Sequence, residues 1–214
     1  TVEAQHLIMA TGCISTAQIP EIDGLSDYRG NTYHTGKWPH QKIDFTGQRI
    51  AVVGTGSSGI QAIPVLAEKA EHVTVFQRTP NYSIPSQNGP MHREYEASWK
   101  ERYGDLREEM RYTGHGSIKD LNDKPAMSVD EDERQETYKE RWKIGGAGFL
   151  TSFNDLLFSQ ESNDTASEFV RQQIRQIVKD PETAEILAPK TYPIGTKRIC
   201  IDSGYFETYN RDNV

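Results

Sequence analysis

Cysteine is scarce in this sequence: the two present, Cys13 and Cys200, stand far apart and form no Cys-x-x-Cys pair. A disulfide framework and a structural zinc site are therefore unsupported, no metal ligand set is offered, and a reducing, cytoplasmic setting is the expectation. In that setting the sequons Asn81-Tyr-Ser and Asn163-Asp-Thr read as chance matches. No apolar run reaches membrane-spanning length, and no signal peptide is present. Basic charge is also in short supply, with 24 Lys and Arg against 31 Asp and Glu and a formal net charge of −7. A nucleic-acid or membrane-surface partner would need a broad basic face that this balance does not supply, although a local basic pocket stays open. The sequence also lacks an initiator Met. It runs almost at once into a buried-type strand, Gln5 to Gly12, and stops at Arg211-Asp-Asn-Val, so both ends read as cut and the chain as an internal fragment.

What the sequence does have is Arg49-Ile-Ala-Val-Val-Gly54-Thr-Gly56-Ser-Ser-Gly59. An apolar, β-branched run enters a Gly-x-Gly-x-x-Gly turn, and the spacing of Ile60, Ile63, Leu66 and Ala67 then turns helical, which predicts strand, tight turn and helix. Gly54 suits a φ > 0 turn, Gly56 lets the backbone approach a ligand, and Gly59 lets the helix pack close to its strand. The helix N-terminus adds unpaired N–H groups and partial positive charge, so a pyrophosphate is the expected occupant.

A second apolar run, His72-Val-Thr-Val-Phe-Gln-Arg78, supplies the next strand. An NAD site carries an Asp or Glu near its end for the ribose 2′-hydroxyl; here the strand ends in Gln77, Arg78 and Thr79. A guanidinium fork suits a 2′-phosphate, so NADPH is the expected cofactor. The alternative is that Arg78 is a solvated strand-end charge.

Between these elements and the N-terminus lies Tyr28-Arg-Gly30-Asn-Thr-Tyr-His34-Thr-Gly-Lys-Trp38-Pro39, a linker whose imidazole and indole can each make one directed hydrogen bond while packing. It resembles the Baeyer–Villiger monooxygenase fingerprint, with Tyr28 in place of Phe. The blocks Val53 to Gln61, Phe76 to Pro85, Trp142 to Gly146 and Lys197 to Val214 are similar to that family in the same order, closest to its cyclohexanone and phenylacetone type. The resemblance implies an α/β fold: a Rossmann-like NADP-binding domain of a two-dinucleotide-binding-domain flavoprotein, with a helical insertion. Ala10-Thr11-Gly12 would end the last strand before the crossing between nucleotide domains; a plain strand ending in a turn is the alternative.

The implied organisation is residues 1–45, the end of an FAD-binding domain and linker; 46–89, the first half of the NADP-binding domain; 90–190, a helical insertion; and 191–214, the return. Within the insertion, Ser128-Val-Asp-Glu131 predicts a capping box opening an acidic helix through Trp142. A longer helix is expected from about Thr165, with Asp180-Pro181 stopping it. Gly145-Gly146-Ala-Gly148 follows no strand and reads as a flexible turn.

The resemblance further implies an enzyme in which NADPH reduces a bound FAD that activates dioxygen to convert ketones into esters or lactones. Cofactor-binding roles then fall to Gly54, Thr55, Gly56, Ser57, Ser58, Gly59, Gln61, Arg78, Thr79 and Lys197. The catalytic cation is Arg198, which cannot lose its charge beside a reactive oxygen anion. The alternative for the Lys197-Arg198 pair is an exposed basic dipeptide. Tyr28, Gly30, His34, Trp38 and Pro39 form the fingerprint, His34 acting as a hinge packed by Trp38; Asp202 and Glu207 are structural. The main FAD site and the substrate-lining segments fall outside this sequence, so the chain alone is expected to hold NADP weakly and to lack oxygenase activity. Rival readings are an N- or S-oxidising flavin monooxygenase and a non-catalytic NADPH-binding module.

Overall fold

The computed structural model describes residues 3–214 except 13, 115, 119 and 120. Cys13 lies outside the described residues; Cys200 is a free, buried thiol. Tertiary contacts divide the chain into two units, one ending at Asp44 and the other Phe45–Val214.

The first unit holds two single-turn 3-10 helices, Leu25–Asp27 and Thr35–Lys37. The strand expected over residues 5–12 does not form, and Leu7, Ile8 and Met9 are 82%, 89% and 72% exposed. A strand needs a neighbour to take up its backbone donors and acceptors, and among the described residues none pairs with this segment, so propensity alone does not make it a strand.

The second unit contains the expected strand, turn and helix. β1 (Arg49–Val53) pairs in parallel with β2 (His72–Phe76), with Val53 opposite Phe76. The crossover is α1 (Ser57–Ala67), which buries Ile60, Ile63 and Ala67 along one stripe. A second parallel pair joins β3 (Ser83–Pro85) to β4 (Cys200–Asp202), although the whole helical segment lies between them in sequence.

That segment comprises α2 (Arg93–Glu101), α3 (Tyr103–Met110), α4 (Glu131–Ile144), α5 (Gln160–Ile177) and α6 (Pro181–Leu187); a short α7 (Tyr205–Thr208) follows β4. Its centre is aromatic: the Tyr138 ring lies 5.7, 5.4 and 5.4 Å from those of Phe149, Phe153 and Phe169. The Tyr138 hydroxyl lies 2.8 Å from that of Thr165, and burial pushes its pKa up to about 12. This cluster is continuous with Ile60 and Ile63 of α1 and Ile84 of β3, so α4, α5 and α6 share one core with them.

Three local expectations are corrected. The cap of α4 is Asp130, whose carboxylate accepts the Glu133 N–H at 2.9 Å, while the Ser128 hydroxyl is spent on the Pro125 carbonyl. Helix α5 begins at Gln160, capped by Ser159, because the polar residues Ser162 and Asn163 of its first turn are buried and satisfied by tertiary partners. Asp180-Pro181 opens α6 instead of merely closing α5: Asp180 accepts from the Thr183 N–H, and Pro181 sits at the first helical position, where its missing donor costs nothing. Gly145 does end α4 in a turn, with φ 78°, but a close-packed one; a side-chain carbon there would strike the Pro85 carbonyl.

Candidate nucleotide-binding site

The site is built where β1 and β2 end. Gly54 has φ 97°, and its N–H donates to the Phe76 carbonyl at 2.9 Å, which ties the turn to β2. A Cβ on Gly59 would collide with the Gly54 carbonyl, so helix and turn approach as only glycine permits. Around the position of a Cβ on Gly56 the space is open. Gly56 caps α1 without a side-chain acceptor, and the first helical bond runs from the Ile60 N–H to the Gly56 carbonyl. The N–H groups of the first turn thus remain available to an anion, and the arrangement fits a dinucleotide pyrophosphate.

Around this turn lies a cleft of about 550 Å³ lined by Val53 to Gly56, Phe76 to Thr79, Asn81 and Lys197. It brings together Gly54, Thr55, Gly56, Arg78, Thr79 and Lys197 from the sequence-derived set. Arg78 and Lys197 are both exposed, and among the described residues neither forms an ion pair, in a chain whose acids outnumber its bases. Among the described residues no carboxylate lines the cleft. Two uncommitted cations beside an uncapped helix N-terminus suit a ligand with more than one phosphate.

The remaining sequence-derived residues lie elsewhere. Ser57 and Ser58 are in the first turn of α1, where the Ser57 hydroxyl points to the Cys200 sulfur at 3.5 Å. Gln61 donates to the Ile201 carbonyl at 3.0 Å and joins α1 to β4. Arg198 is exposed and outside the cleft lining, next to Lys197, which is within it. Asp202 is buried; it accepts from the Ser83 hydroxyl at 2.5 Å and the Tyr205 N–H at 3.1 Å, while burial pushes its carboxyl above the ordinary range. In the first unit, His34 Nδ1 accepts the Gly36 N–H at 3.0 Å and caps a 3-10 turn; Trp38 packs on Tyr33 with ring centroids 5.7 Å apart. A Cβ on Gly30 would run into the Tyr28 side chain, and Pro39 is half-buried.

Three residues of the site carried no such reading in the sequence. Gln77 accepts from the Thr55 hydroxyl at 3.2 Å and donates to the Ile186 carbonyl at 3.1 Å, so the residue in the place of the usual acid clamps the turn to α6. Asn81 donates to the Thr55 carbonyl at 2.5 Å. Tyr192 places its ring 4.1 Å from the Lys197 ammonium. Asn81 stood out only as a sequon, whereas Tyr192 lies in no motif. The other sequon, Asn163, is buried and bonded to the Leu156 and Ile194 carbonyls, which leaves no room for a glycan.

A family model for pyridine nucleotide-disulphide oxidoreductases matches residues 1–195. The chain belongs to that family. Baeyer–Villiger monooxygenases are 35–40% identical to it over its whole length, and the resemblance carried by the fingerprint blocks extends throughout. A 2-oxo-Δ3-4,5,5-trimethylcyclopentenylacetyl-CoA monooxygenase of Pseudomonas putida is 40% identical over all of this chain and 40% of its own length. Cyclohexanone 1,2-monooxygenase of an Acinetobacter species is 37% identical over 99% of this chain and 39% of its own. Phenazine N-monooxygenase of Lysobacter antibioticus has the same 37% identity and the same coverage. The solved OTEMO complex with FAD and NADP aligns with TM-score 0.92 and 40% identity over 96% of this chain and 40% of that one. The chain thus spans about two-fifths of the length of these relatives. Among its described residues no helix is long and apolar enough to cross a membrane.

Proposed function

We propose that this chain is the NADPH-binding portion of an FAD-dependent Baeyer–Villiger monooxygenase that converts ketones into esters or lactones with dioxygen, in a reducing cytoplasmic setting. The observation that carries the reading is the cleft itself: a glycine turn, an uncapped helix N-terminus and two cations without an ion pair among the described residues, with no acid at the end of β2. The four-part organisation at residues 45, 89 and 190 belongs to the same proposal.

In this reading the N–H groups of the Gly54–Gly59 turn hold the pyrophosphate, and Arg78 with Lys197 grips the 2′-phosphate. The Thr55 and Thr79 hydroxyls lie beside that path, Ser57 and Gln61 tie α1 to β4 beneath it, and Ser58 belongs to the first turn of α1 that offers its N–H groups to the phosphates. Bound FAD supplies the oxygen-activating chemistry when present. Arg198 offers the reacting centre a planar cation that keeps its proton, which stabilises developing negative charge without exchanging protons with it. His34 uses Nδ1 as an acceptor from the backbone, which suits a hinge and leaves it unsuited to be a general base.

The test is Arg198→Ala in the flavin-loaded protein that carries this sequence. NADP affinity close to wild type with oxygenation lost supports the reading; unchanged oxygenation overturns the role given to Arg198, and a wild-type protein that oxygenates neither a ketone nor an amine leaves a nucleotide-binding module. The phenazine relative favours a second reading, oxidation of a nitrogen centre. Product analysis on cyclohexanone, phenylacetone and a heteroaromatic amine separates the two, since only the first yields a lactone or ester.

A further inference from the structure

The Lys197 ammonium is held by an aromatic face, 4.1 Å from the Tyr192 ring centroid, and by no carboxylate among the described residues. A cation within about 6 Å of a ring centroid is attracted by the ring quadrupole while its formal charge stays uncompensated. A carboxylate in the same place would also hold the lysine, but it would neutralise it and repel a phosphate. The ring orders a long, flexible stem and leaves the charge for the ligand.

The ring is itself fixed to the nucleotide turn. The Tyr192 hydroxyl donates to the Pro80 carbonyl at 2.8 Å, with Asn81 Oδ1 also within reach at 3.2 Å. Asn81 Nδ2 in turn donates to the Thr55 carbonyl between the first two glycines. The ring also meets Tyr82 edge-on, centroids 5.4 Å apart, and Tyr82 accepts from Arg171 of α5. Lys197 is therefore positioned against Thr55 through two intervening side chains, both anchored independently of any ligand.

We propose that Tyr192 is a positioning residue for cofactor choice: by seating Lys197 at the cleft it confers selectivity for a 2′-phosphorylated dinucleotide over its unphosphorylated counterpart. This rests on the NADPH-binding reading above. NAD and NADP differ only at the group Lys197 would meet, so loss of the seat penalises one ligand and spares the other.

The experiment measures the dissociation constants of NADP+ and NAD+ by calorimetry on the flavin-loaded protein carrying this sequence. Tyr192→Leu is expected to weaken NADP+ by roughly 2- to 5-fold, the range that loss of an exposed cation–aromatic contact allows, with NAD+ unchanged. Tyr192→Phe keeps the face and loses only the hydroxyl, so it is expected to retain most of the selectivity. Where Tyr192→Leu does not fold, Tyr192→Met takes its place. In a Lys197→Met background the Tyr192 substitution is expected to have no further effect on NADP+. Equal weakening of both dinucleotides, or an effect that persists without Lys197, overturns the proposal. A wild-type protein that binds NAD+ as well as NADP+ overturns the NADPH reading first and this inference with it.

Discussion

Gly59 approaches the Gly54 carbonyl so closely that a single added methyl would overlap it. The contact holds α1 against the end of β1, and the open N-terminal turn of the helix faces outward because of it. Gly59→Ala is expected to force the helix from the turn. A loss of NADP affinity of 10-fold or more is expected in calorimetry, with helix content by circular dichroism little changed; overpacking of this kind costs about 1–3 kcal/mol. Unaltered affinity would show that the turn does not form the phosphate site.

Arg78 follows Gln77 at the end of β2, where an NAD site carries a ribose-binding acid, and it is exposed and without an ion pair among the described residues. Arg78→Ala removes hydrogen bonds to a charged group worth about 1.5–3 kcal/mol, a loss of roughly 10- to 100-fold in NADP affinity. NAD affinity is expected to hold or rise slightly. Raising the salt concentration should weaken NADP more in the wild type than in the variant, since one fewer charge is left to screen.

The aromatic cluster makes a different prediction. Phe169 stacks on Phe149 at 5.9 Å and is 2% exposed, and its neighbours are fixed by two helices and a 3-10 turn. Phe169→Ala leaves a cavity that these elements cannot close and is expected to cost about 3–5 kcal/mol in denaturant unfolding. Because the cluster runs on to Ile60 and Ile63, the glycine turn should lose order in the same transition; two separate transitions would mean the helical segment folds independently.

Acid should loosen the strap between α5, α6 and the chain before β4. The Glu185 carboxylate meets Arg175 at 2.5 Å and Lys190 at 2.6 Å. The Arg175 hydrogen bond, then that of Lys190, lowers its pKa from 4.5 to about 2. A depressed folded value means stability that is fully present above pH 4.5 and lost as pH falls towards 2. Glu185→Gln is expected to flatten the dependence of thermal unfolding on pH across that window. Since the group is on the surface, added salt should flatten it as well.

The strand, turn and helix from Arg49 to Ala67 were legible because every determinant lies within a few residues: β-branched spacing, the three glycines and the helical stripe of Ile60 and Ile63. What the sequence could not supply was any decision taken between distant residues. Residues 5–12 have strand propensity and no strand partner among the described residues, so they form no strand and stay exposed. The Ser162 and Asn163 side chains look like interruptions in a helix until Asp155, Leu156 and Ile194 satisfy them. Tyr192 belongs to no motif, and only folding carries it to Pro80 and Asn81, more than a hundred residues earlier in the chain. Local sterics and periodicity thus determined the glycine turn from sequence alone. Which cations stand beside it, and what holds them there, was decided by hydrogen bonds and ring contacts that exist only once the helical segment has brought the two ends of the second unit together.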